Sequence, residues 1–206
     1  MVVGVAMVVS YEGSRFRGWT DVRDSVLRPT LSRVLRQEDP LLLVASRTDA
    51  GVHARANVCS FTPERTPTDL GQLTYSLNQL LPHEVCVQHA ALTQPGFDVR
   101  ANVGKEYRYT VNFAPVRQPL TRQMEWQLPA RRGRREWDGN CAARSASRML
   151  GSHSFAAFGN TPRGAERGSE IDTICNLKML QLRQLAPTVV QFRLRGDRFL
   201  YKMVCT

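Results

Sequence analysis

The sequence predicts an α+β fold of two subdomains, residues 1–100 and 101–206, each begun with the same order of elements. Three observations predict it. Short apolar or alternating runs of strand length are separated by stripes of helical period. Proline and glycine punctuate the chain often enough to keep every element short. The order found in the first half starts again in the second.

The elements follow in chain order. Val2–Val9 is a continuous apolar run and predicts a buried strand. Ser10–Asp24 is polar, with Gly13 and Gly18, and reads as a loop. Leu27, Leu31, Val34 and Leu35 then form a helical stripe, with Pro29 tolerated in the first turn. Leu41–Ala45 and Ala54–Phe61 predict two further strands. Thr68 can cap a helix whose face is Leu70, Leu73, Leu77, Leu80 and Leu81, stopped by Pro82. Glu84–Ala91 completes a β-α-β-β-α-β series, the ferredoxin-like motif with two helices on one face of an antiparallel sheet.

In the second half, Tyr107, Tyr109 and Val111 alternate with polar residues and predict a half-buried strand. A long loop follows, with the basic run Arg131, Arg132, Arg134 and Arg135. Asp138 can cap a helix bearing Ala142, Ser145, Met149 and Leu150, with Gly151 past its end. Phe155 and Phe158 read as a seal of that helix end against the core. Ile171–Leu182 and Thr188–Arg195 predict strands, and Phe199–Val204 the start of a helix. The order β-α-β-β-(α) predicts an incomplete second copy of the first fold.

Of the 206 residues, 42% are hydrophobic and 22% charged, values of a globular chain rather than a disordered or fibrous one. No apolar run approaches the ~18 residues of a membrane span. The opening Met1–Val9 lacks the basic n-region of a signal peptide. Five cysteines, with no CxxC pair, point to a reduced compartment without a disulfide frame or a zinc ribbon. The absence of a transit pattern points to the cytoplasm, with nucleus and mitochondrion left open. Residues 1–103 carry 10 basic and 10 acidic side chains, whereas residues 104–206 carry 18 and 8 and so hold the whole net charge of +10. That asymmetry points to a polyanionic partner. An arginine-rich genome would also produce it, because only three of the 28 basic residues are lysine.

The densest chemistry lies in Ser46-Arg47-Thr48-Asp49-Ala50-Gly51-Val52-His53-Ala54, a loop between two strands. Gly51 can take a positive φ and so project the Asp49 carboxylate from a tight turn. Arg47 can hold that carboxylate ionised through a charge-assisted hydrogen bond. An ionised, oriented aspartate serves as nucleophile or base; a turn-capping aspartate in a surface ion pair fits the same residues. His53 lacks the companions of a metal site. A P-loop is absent, since Gly13 and Gly18 are followed by Trp19 and not by lysine. Lys105-Glu106-Tyr107-Arg108-Tyr109 sets aromatic side chains among basic ones, which suits base stacking and phosphate binding or a pair of core aromatics.

Taken together these segments resemble one family. Arg47–Ala54 is similar to the signature of the TruA-type tRNA pseudouridine synthases. Tyr11–Trp19 resembles the family's exit from its first strand, and Leu77–Pro82 its second-helix end. Phe97, Arg100, Lys105, Tyr107, Arg108 and Tyr109 fit its F-x-x-R…K-x-Y-R-Y stretch. Gly151–Phe158 resembles G-x-H-D-F-x-x-F with Ser154 for the aspartate, and Gly196–Val204 resembles the last motif.

The resemblance implies two ferredoxin-like subdomains flanking an RNA-binding cleft. It implies conversion of uridine to pseudouridine in the anticodon arm of tRNA, by base flipping and an essential Asp49 acting at the ribose or at the base. Arg47 would orient Asp49 and fill the space left by the flipped nucleotide. Tyr107 would stack on the target uracil, with Lys105, Arg108 and His53 at the substrate. An isomerisation has no redox step, so no cofactor or metal is expected. The partners implied are tRNA and a second copy of the chain, with no membrane. The departures are Leu27 for a usual Gln, Asp98 for His, Asp172 for Arg, and Cys205 for the Arg expected after Met-Val. The family pattern continues past this point, which implies a C-terminally truncated member, either an active isomerase or a catalytically inactive RNA-binding relative.

Overall fold

The computed structural model describes residues 3–128, 137–160 and 172–204. The basic run Arg131–Arg135 and Cys205 lie outside them. The chain divides into two units, Met1–Asn102 and Val103–Thr206.

In the first unit, β1 (Val5–Tyr11) runs between β3 (Ala54–Phe61) and β4 (Val85–Leu92), antiparallel to both. The short β2 (Leu43–Val44) pairs with β3, so the strand order is β2-β3-β1-β4. Alternation along β1 turns Val5, Met7, Val9 and Tyr11 into the core.

The stretch expected as a loop over Ser10–Asp24 is corrected at both ends. β1 runs on to Tyr11, and helix begins at Trp19. Three pieces run together: α1 (Trp19–Asp21), a π-helical segment (Val22–Leu27) and α2 (Arg28–Leu35). Trp19, Val22, Leu27 and Leu31 are all buried. Their spacing of three, five and four residues explains the π segment. A five-residue step keeps Leu27 on the core face only where the helix is wound more widely than an α-helix. The polar stretch Thr20, Asp21, Arg23, Asp24 and Ser25 hides this period in the sequence.

The helix α3 (Leu70–Leu80) is capped by Asp69 and not by Thr68: its carboxylate accepts the Gln72 N–H at 2.8 Å. Leu73 and Leu77 are buried, while Leu80 is 41% exposed and leaves the expected apolar face. Asn78 ties α3 to β4, donating to the Val87 carbonyl and accepting the Val87 N–H, each at 2.8 Å.

In the second unit, β5 (Lys105–Asn112), β8 (Ile174–Ala186) and β9 (Val189–Gly196) form an antiparallel ladder. β6 (Trp126–Gln127) joins β5 in parallel and β7 (Gly151–Ser154) joins β8 antiparallel, giving the order β6-β5-β9-β8-β7. The helix α4 (Gly139–Arg148) is capped by Asp138 as expected, through the Cys141 N–H at 2.8 Å.

Two expectations change here. Gly151–Ser154 is an edge strand rather than a helix exit, so the second unit does not simply repeat β-α-β-β-(α). Phe155 is buried with Cys175, Leu177 and Met203, while Phe158 is 40% exposed and meets the Phe155 ring at a centroid distance of 5.9 Å. Phe199–Val204 holds no helix; residues 201–204 form a turn in which Lys202 takes φ 59°. Among the described residues no helix is long and apolar enough to cross a membrane.

Candidate active site

Two loops of the first unit meet to present Asp49. One is the exit of β1, Glu12–Gly18; the other is the segment Ser46–His53 between β2 and β3. Their backbones bond directly. The Trp19 N–H donates to the Thr48 carbonyl at 3.0 Å, and the Gly51 N–H to the Phe16 carbonyl at 3.1 Å. A turn closes Asp49 itself, with the Val52 N–H on its carbonyl at 3.2 Å and Gly51 at φ 79°.

Glycine is required where the loops touch. A Cβ on Gly13 would lie 2.1 Å from the Val52 carbonyl oxygen, inside any permitted contact. Gly18 takes φ 96° and a Cβ there would meet the Thr48 carbonyl oxygen at 2.5 Å. The two glycines thus serve the approach of backbone to backbone.

Side chains complete the lock. The buried Tyr11 ring carries its hydroxyl to Thr48 Oγ1 at 2.8 Å. Asn57, also buried, donates to Tyr11 Oη at 3.1 Å and to the Ser46 carbonyl at 2.8 Å. His53 Nδ1 accepts the Gly13 N–H at 3.0 Å and lies 3.1 Å from Glu12 Oε1. Desolvation pushes the Glu12 carboxyl up, but the Ser14 N–H and hydroxyl, His53 and Arg15 outweigh it and hold Glu12 below its usual value.

Asp49 is half-buried, and its carboxylate has no hydrogen-bond or ion-pair partner among the described residues. Arg47 is exposed and its guanidinium donates to Thr20 Oγ1 at 3.2 Å rather than to Asp49. The partner is supplied by α1, whose Thr20 offers Arg47 a hydroxyl. Thr20 gave no signal in the sequence because it is 27 residues from Arg47, and the roles of Tyr11 and Asn57 depend on β1 and β3 lying side by side. Gly13 and Gly18 were visible as loop glycines, but what they make room for was not.

The second cluster lies on β5. Strand alternation separates its members. Lys105 and Tyr107 share one face, and Arg108 stands on the other. Tyr107 meets the Phe199 ring edge-on at a centroid distance of 4.9 Å. Burial pushes the Lys105 ammonium below its usual pKa. Arg108 bonds Glu106 Oε1 at 3.1 Å, and Arg193 bonds Glu106 Oε2 at 2.8 Å. The Arg193 bond, against the opposing effect of desolvation, holds the Glu106 carboxyl low.

No protein-family model matches the chain. Curated relatives do. The tRNA pseudouridine synthase A of Methylacidiphilum infernorum is 34% identical over 212 residues, spanning 98% of this chain and 77% of its own length. That of Chlamydia trachomatis serovar L2b is 30% identical, spanning 99% and 75%. That of Acetivibrio thermocellus is 29% identical, spanning 97% and 79%.

Proposed function

This chain belongs to the TruA-type family of tRNA pseudouridine synthases, and on that premise we propose that it isomerises uridine to pseudouridine in the anticodon arm of tRNA. The observation that carries the reading is the Asp49 carboxylate, without a partner among the described residues, on a loop that glycine contacts and buried hydrogen bonds hold from both sides. A catalytic carboxylate must be oriented yet open to its substrate, and this one is both.

The reaction balances without a redox step. The N1–C1′ bond breaks, the uracil turns, and a C5–C1′ bond forms; C5 loses a proton and N1 gains one. The reacting atoms are stacked inside RNA, so the nucleotide is flipped out at a cost of a few kcal/mol. Asp49 supplies the essential carboxylate. Arg47, bonded to Thr20 in the free chain, fills the vacated stack. Tyr107 stacks on the uracil, with Lys105 beside it on the same face. His53 serves through the loop, by its bond to Gly13. Arg108 contacts phosphate from the opposite face of β5.

The order β2-β3-β1-β4, with helices between β1 and β2 and between β3 and β4, supports a ferredoxin-like reading of the first unit. The split near residue 102 supports a two-subdomain reading of 1–100 and 101–206. We extend the reading to a cytoplasmic homodimer.

The test is release of tritium from tRNA carrying C5-tritiated uridine. The wild-type chain releases it and Asp49→Ala does not. Equal release from both, or none from the wild type, contradicts the reading.

A further inference from the structure

We propose that the face of the second unit's sheet turned away from Tyr107 is a phosphate-binding surface for the tRNA backbone, built by Arg108, Arg183, Arg193 and Arg195. This rests on the tRNA reading above and adds a surface to it. The register places these residues together. Across β5 and β9, Arg108 faces Arg193 and Glu106 faces Arg195; across β8 and β9, Gln181 faces Arg193 and Arg183 faces Gln191. Directly opposed residues of an antiparallel pair point to the same face. All four guanidiniums therefore stand on one face of three adjacent strands. The other face carries Leu180, Leu194, Tyr107 and Phe192, and Leu180 and Leu194 pack with Phe155, Leu177 and Met203.

The charge on this face is only partly compensated. Among the described residues, Glu106 is shared between Arg108 and Arg193, and Glu125, at the β6 edge of the same face, is bonded to Asn112 at 2.9 Å. Among the described residues Arg183 and Arg195 have no carboxylate partner, and both are exposed. Gln181, Gln191 bonded to Thr110 at 3.2 Å, and Met179 opposite Arg195 are uncharged neighbours on the same face. An exposed sheet face on which four guanidiniums outnumber the carboxylates among the described residues repels cationic partners. It suits a polymer that offers repeated anionic oxygens along an extended line, and guanidinium forks bind such oxygens two at a time. Contacts of this kind position a nucleic acid without reading its sequence.

The experiment measures tRNA affinity of the full chain against salt. The double variant Arg183→Gln/Arg195→Gln is expected to bind about tenfold more weakly at 0.15 M salt, with the log–log salt slope reduced by about 2. Arg183→Lys/Arg195→Lys is expected to restore most of the slope, because a point charge still releases a counterion; restoration by lysine with an unchanged thermal melt separates a charge effect from misfolding. Unchanged affinity and slope in the glutamine variant overturns the proposal. So does a loss that appears with heparin but not with tRNA. Tritium release by the wild type is scored separately: its absence refutes the catalytic reading, while the arginine-dependent slope alone decides this surface.

Discussion

The two units handle the faces of their sheets differently. Among the described residues, the core of the first unit joins seventeen buried side chains, from β1, β3, β4, α1, the π segment, α2, α3 and the adjoining loops, whereas that of the second joins four. The first unit commits its sheet to a frame and sets the Asp49 carboxylate on a loop fastened to that frame. The second leaves a sheet face polar and arginine-rich, and a half-buried tyrosine on the other. The difference assigns the work. Bond-breaking needs atoms held to within fractions of an ångström. Grip on a phosphate backbone needs charge at many points and tolerates looser geometry.

The sharpest way to break this division is at Asp49. Asp49→Asn keeps the shape and removes the charge, so catalysis is expected to fall by at least about a thousandfold while tRNA affinity changes by less than about threefold. Comparable loss of both, in tritium release and filter binding, moves Asp49 from chemistry to structure. The frame is tested next. Leu77→Ala, at a fully buried position of the first core, is expected to cost about 3 kcal/mol in urea unfolding, against about 1 kcal/mol for Leu200→Ala at the partly buried rim of the second.

The fastening of the loop can be loosened without touching the carboxylate. Gly13→Ala forces a Cβ onto the Val52 backbone and is expected to lower the turnover rate about a hundredfold, with far-UV circular dichroism retained. Tyr11→Phe deletes the hydroxyl that joins Thr48 and Asn57 and is expected to cost about 1 kcal/mol of stability with a matching tenfold loss of turnover. The mildest test is chemical. Burial pushes the Cys59 thiol up to about 12, so a thiolate-directed reagent at pH 8 is expected to label exposed Cys86 and Cys141 and spare Cys59 in the native chain.

Much of the first unit was legible because its elements announce themselves by period. β3 falls on the expected Ala54–Phe61, and α3 on the Leu70–Leu80 stripe. What stayed hidden was fixed by partners. A five-residue step in an apolar stripe looks like an interruption until Trp19 and Leu27 are seen on one side of a π turn. Gly151–Ser154 has no apolar alternation and is a strand only because β8 supplies its hydrogen bonds. Thr68 and Asp69 are both capping residues, and only the path of the chain selects Asp69.

At the site, the Asp49 turn and the glycines were visible. The diversion of Arg47 to Thr20 was not, because the two are 27 residues apart in the chain. The separation of Tyr107 from Arg108 follows from strand period alone, and the arginine face follows from it.

The most direct test of the central claim is chemical identification of the product. Unmodified tRNA is incubated with the chain, digested to nucleosides and resolved by liquid chromatography and mass spectrometry. Pseudouridine is isobaric with uridine but does not lose its base on fragmentation, since its glycosidic bond is carbon to carbon. The account predicts a pseudouridine peak that maps to the anticodon arm with the wild-type chain and is absent with Asp49→Asn. Uridine left unconverted by the wild type, or the same peak from the variant, contradicts it.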